Sequence, residues 1–181
     1  TLRDNSFNGK ATANFFDKPV TKHTLNNRGD LGVMEFQEQI NSVFKGGTNV
    51  EYGKFKFQFY VPKDINYEVD YGKFTVYAHN NVIDGVTSKD IKIGDQNPDG
   101  LDDNEGPVIG LYMNNLNFVD GGITDRNPYL LACLVDDTGI NTSGIAIGHD
   151  ITGVLDQDVE GTYVLNEYYE GVYAFITSFR V

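Results

Sequence analysis

The sequence predicts an all-β protein built from two immunoglobulin-like β-sandwich domains in tandem. Three observations predict it. Apolar and polar residues alternate with period two along several runs. Gly, Asn, Asp and Pro separate those runs at short intervals. No strand pattern alternates with a convincing long helix, which argues against a parallel α/β sheet. The 181 residues then divide into a first sandwich over 1–94, an acidic Gly/Pro linker over 95–106, and a second sandwich over 107–181.

The clearest strand runs from Lys54 to Val61. Phe55, Phe57, Phe59 and Val61 point one way, and Lys54, Lys56 and Gln58 point the other. That is the pattern of an antiparallel strand with one wet face. Pro62 ends it by removing a ladder donor. Lys73–Ala78 alternates likewise, with Phe74, Val76 and Ala78 inward. Shorter strands are expected at Ala11–Phe16, Val20–Leu25 and Val33–Phe36, with turns at Asn8-Gly9, Arg28-Gly29-Asp30, Gly46-Gly47 and Tyr52-Gly53. Met34–Phe44 is the one segment readable as a short helix; the spacing of Met34, Phe36, Ile40, Val43 and Phe44 is ambiguous, and strand or irregular structure is favoured there. After Pro107, strands are expected at Val108–Met113, Pro128–Val135, Ile151–Leu155, Thr162–Leu165 and Val172–Ile176. Pro128–Val135 is apolar on both faces and so predicted to be central.

Charge narrows the function classes. Fourteen Lys and Arg against 26 Asp and Glu leave a net charge of −12. Such a surface repels nucleic acid and anionic membranes. No run approaches the ~18 apolar residues of a membrane helix, so membrane insertion by this chain is not expected. A single cysteine excludes an internal disulfide framework.

The linker supplies the sharpest metal pattern. Asp95, Asn97, Asp99 and Asp103 are candidate calcium ligands, since alternate oxygen donors around a glycine turn suit that ion. Gly106 stands where an EF-hand places its closing Glu, and the bland reading is a solvated acidic spacer. No other cofactor is expected. Cys133 sits in the apolar run Leu130–Val135. A thiolate needs a cation or helix terminus nearby, so a small core residue is favoured over a Cys133–His149 nucleophile pair. The glycines of Gly144–Asp150 read as a tight turn, with His149 and Asp150 bonding to backbone. Tyr163, Tyr168, Tyr169 and Tyr173 can form an aromatic platform for a sugar or peptide, although packing one ring inward is the commoner use of adjacent tyrosines.

Longer motifs carry a resemblance. They include Gly106-Pro107-Val108-Ile109, Leu111-Tyr112-Met113-Asn114-Asn115 and Asn117-Phe118-Val119-Asp120-Gly121-Gly122-Ile123-Thr124. Asp137–Thr142, Gly148–Ile151 and Tyr163–Glu170 follow, with Phe7-Asn8-Gly9, Phe16-Asp17-Lys18-Pro19 and Val61–Ile65 in the first half. Together, over about residues 7–170, they resemble the region behind the peptidase domain in PorU-type sortases of the type IX secretion system, gingipain-like cysteine peptidases of Bacteroidota. The resemblance implies a non-catalytic accessory portion of a surface peptidase, at the outer face of the outer membrane. The implied partners are the upstream catalytic domain of the same protein and secreted cargo. Two departures stand out: the opening strand expected before Phe7 is missing, and Gly171–Ser178 does not follow the family pattern. The alternative is a calcium-stabilised adhesin or glycan-binding module.

Overall fold

A computed structural model describes residues 5–29, 32–63, 65–100, 104–142, 150–172 and 177–180. Among them the regular structure is strand, with two single-turn 3-10 helices at Val159–Gly161 and Asn166–Tyr168 and no α-helix. The all-β expectation therefore holds.

The larger sheet has β1 (Gly9–Phe16) at its centre. It runs antiparallel to β4 (Ser42–Val50) on one side and to β5 (Asp70–His79) on the other. On the outer edge of β5 lies β6 (Asp84–Ile93). β2 (Val20–His23) and β3 (Glu35–Glu38) form a separate exposed hairpin. In the second half, β8 (Tyr129–Val135) lies between β7 (Val108–Met113) and β12 (Thr177–Arg180), central as its apolar faces predict. β9 (Thr152–Val154) and β10 (Thr162–Val164) pair with each other. β11 (Gly171–Val172) crosses back and adds in parallel to the outer edge of β4.

The core follows from β1. Ala11, Ala13 and Phe15 face inward at alternate positions and are buried. Ala13 stands opposite Val76, and Phe15 opposite Phe74. The two alanines leave room above the sheet, and the rings of Phe7, Phe44, Phe57 and Phe74 fill it. Phe15, Val43, Ile65 and Ile93 make the adjoining cluster. Aromatic rings meeting edge-on or offset add about 0.5–1.5 kcal/mol per pair beyond area burial. Phe44 and Phe59 stack with centroids 4.3 Å apart.

Where β1 ends, Asp17 and Lys18 are buried and paired at 2.8 Å. Lys18 Nζ also donates to the Asn66 carbonyl, 2.7 Å away. The Asp17 N–H donates to the Asn41 carbonyl, and Gln39 Nε2 donates to the Asp17 carbonyl. A buried charge needs such partners, and here they tie three loops together.

Four expectations change. Lys54–Val61 alternates only in part, with Phe57 and Phe59 inward but Val61 exposed, and past a single bridge between Glu51 and Lys54 it joins no ladder among the described residues. Side chains alone fix it. Phe55 remains 44% exposed because it lies at the rim of the aromatic cluster. Gly46-Gly47 is the middle of β4, not a turn. A Cβ on Gly46 would collide with the Gly171 carbonyl and the Phe44 ring, so glycine there admits β11. The strand expected at Val33–Phe36 instead occupies Glu35–Glu38, because the Thr24 N–H and Oγ1 both bond the backbone of Met34 and close the hairpin there. β6 was not anticipated; its residues up to Lys92 are all exposed, so no alternation of burial marks it. The turn at Tyr52-Gly53 is as predicted. Both residues have positive φ (53° and 71°), as a two-residue primed hairpin turn demands.

Candidate functional site

A cleft of about 210 Å3 opens where β11 meets the first sheet. Its floor is aromatic: Phe44, Phe57 and Phe59. One wall is formed by Gln58 and Tyr60. The opposite wall is the end of β8 and the turn that follows, with Asp136, Gly139 and Ile140. Tyr169, Glu170 and Gly171 close the end.

Local chemistry shapes each wall. The Asp136 carboxylate accepts from the N–H and the hydroxyl of Thr138, both at 2.8 Å. Gly139 adopts φ 88° and lies against the Tyr60 ring. The Asp137-Thr138-Gly139 motif is thus the turn that forms one lip. Lys45 Nζ donates to the Glu167 carbonyl at 2.9 Å, which ties the first sheet to the 3-10 turn before Tyr169. Burial pushes the Tyr169 hydroxyl above its usual pKa. The cleft offers an apolar floor and a rim of mixed charge. Such an arrangement suits the side chains of an extended polypeptide.

The residues singled out in the sequence are dispersed. Asp95 has φ 66°; its N–H donates to the Tyr67 carbonyl, and its carboxylate accepts from the Gln96 N–H at 2.8 Å. Asn97 Oδ1 accepts from the Asp99 N–H at 3.1 Å. These oxygens are turned onto neighbouring backbone. Asp103 lies outside the described residues. Among those described, no three His, Cys, Asp or Glu side chains are grouped to hold a metal. Cys133 is half-buried in β8, opposite Gly110. His149 and Tyr173 lie outside the described residues, and Asp150 is exposed. Tyr168 is exposed while Tyr169 turns inward, the division expected of adjacent tyrosines.

Sequence reading missed the cleft because its walls come from residues 43–60, 134–142 and 169–171. The one local signal was the pair of glycines at 46 and 47, which a strand tolerates where another backbone comes close.

With this geometry in view, the chain was compared with known proteins. No family model and no curated protein matches it. Among solved structures, it is similar to the crystal structure of dimeric latent PorU from Porphyromonas gingivalis. The identity is 28% and the TM-score 0.52, over 98% of this chain. The match spans only 17% of that chain. The likeness supports a PorU-like relationship, in agreement with the motifs that pointed there, and it extends along both halves of the chain.

Proposed function

We propose that this chain is a non-catalytic accessory region of a PorU-like surface cysteine peptidase. It supports an upstream catalytic domain or presents secreted cargo to it. The observation that carries the reading is the match over 98% of the chain to a small part of a much longer protein. The immunoglobulin-like character of both halves belongs to the same reading, supported by antiparallel pairing in each. The location that goes with it is the outer face of the outer membrane. The placement of Cys133 mid-strand, rather than at a helix N-terminus or in a charged recess, supports a structural role for it.

The test is deletion of this region from the whole protein, followed by measurement of cargo cleavage. Loss of cleavage with the peptidase domain still folded and still reactive toward a small thiol-directed probe is the expected result. Cargo cleavage at the parental rate would sink the proposal, as would peptide hydrolysis by the 181-residue chain alone.

A further inference from the structure

We propose that the run Phe55–Val61 is a docking edge for an added β-strand: an extended segment of another polypeptide with acidic residues opposite Lys54 and Lys56. The inference deepens the cargo-presenting reading and rests on it for the source of the strand. The chemistry of the site comes from this chain alone.

The first observation is the backbone. Exposure alternates along the run as in an extended chain: Phe57 and Phe59 are held in the aromatic cluster, and Lys56, Gln58 and Tyr60 are exposed. From Phe55 to Val61 no backbone N–H or C=O bonds to a described residue. A strand kept straight by its side chains, with its ladder groups unpaired, is a template for another strand. Because the run is already ordered, the conformational cost on this side of the contact is small. The cleft lies along the same run and gives an incoming side chain an apolar floor.

The second observation is charge. The whole chain carries −12, yet residues 52–63 contain Lys54, Lys56 and Lys63 and no acid. Lys54 and Lys56 lie on the outward face with Gln58. Opposite charges across a strand pair stabilise it and like charges oppose it. Glu51 stands across the Tyr52-Gly53 turn from Lys54, and Asp136 and Glu170 border the Tyr60 end. An acidic residue is therefore favoured only at the lysine end. The net negative charge disfavours an acidic ligand elsewhere on the surface.

The test uses the 181-residue chain and synthetic peptides of about eight residues, the usual length of a strand. Each alternates valine with glutamine and carries two glutamates at one end; both directions are made. Binding is expected to shift the amide resonances of residues 55–61. Replacing the glutamates by lysines should weaken binding about tenfold, the sum expected of two cross-strand charge pairs. K54E/K56E should reverse that preference while the circular dichroism stays that of the parent. N-methylation of alternate peptide amides should abolish binding. Equal affinity for the N-methylated peptide overturns strand addition, and an unchanged preference in K54E/K56E overturns the charge assignment. Self-association through residues 55–61 with no peptide binding makes a second copy the occupant and overturns the proposal. Peptide binding together with unaltered cargo cleavage by the whole protein carrying K54E/K56E sinks the presenting reading and leaves the docking edge standing. A cleavage defect on deleting the region without peptide binding does the reverse.

Discussion

Asp17 and Lys18 are the residues whose environment is least like that of their kinds elsewhere in the chain. Their side chains are 4% and 7% exposed. Removing one partner leaves an uncompensated buried charge, which costs about 3–5 kcal/mol. Lys18→Ala is therefore expected to lower the urea midpoint sharply, and Lys22→Ala hardly at all, because the Lys22–Glu38 pair is largely solvated. Equal losses in the two variants would contradict the role assigned to Lys18. Tyr169 gives a pH-dependent counterpart. Burial raises its folded pKa above 10.0, so the folded state holds this proton more tightly than the unfolded chain. Its contribution is fully present below pH ~10 and falls as pH rises through the folded value. Tyr169→Phe should flatten that alkaline loss, read as thermal midpoint against pH.

Elements show how far pattern alone reaches. β1 and β5 were legible because each has one dry face: Ala11, Ala13 and Phe15 in the first, Phe74, Val76 and Ala78 in the second. β8 was legible as a central strand because Leu130–Val135 leaves no polar face. β6 was not, since the sheet edge keeps Asp84–Lys92 exposed and burial never selects an alternation. The Phe55–Val61 run is the instructive case. Its alternation gave Phe57 and Phe59 correctly as inward but not Phe55 and Val61, which are exposed at the two ends of the run; alternation reports side-chain burial and carries no information about whether a ladder forms. Phe59→Ala should accordingly destabilise by ~3 kcal/mol, while Phe55→Ala, at the exposed rim, should cost well under half of that. Denaturant titration of both variants decides it; equal losses would mean that the run is not anchored as described. The cleft was illegible for a different reason. It depends on Gly46 admitting the Gly171 carbonyl, a contact between residues far apart in the chain. Gly46→Val should expel β11 and cost ~1–3 kcal/mol by overpacking. Faster amide exchange at Gly47 and Val172 would report it, and exchange at the parental rate would contradict the pairing.

At the scale of the whole molecule, the distribution of core residues decides how the two halves depend on each other. Of the buried hydrophobics among the described residues, Ala132 alone belongs to the second half; the others, from Ala11 to Ile93, belong to the first. β7 presents Val108, Ile109 and Leu111 largely to solvent. Stability scales with apolar area removed from water, and among the described residues beyond the seam so few buried side chains do not offset the entropy of ordering them. The first half supplies what is missing. It receives β11 on β4, lends Lys45 to the Glu167 carbonyl, and sets Tyr60 against Gly139. The acidic seam is thus a covalent connection between parts that are also joined by packing. Residues 107–181 produced alone should lack dispersed amide resonances, and adding residues 1–94 in trans should restore part of them. A separately folded 107–181 with a cooperative melt would contradict this dependence. In the intact chain, amides of β7 and β8 should exchange faster than those of β1 and β5, because opening the second half exposes less apolar surface.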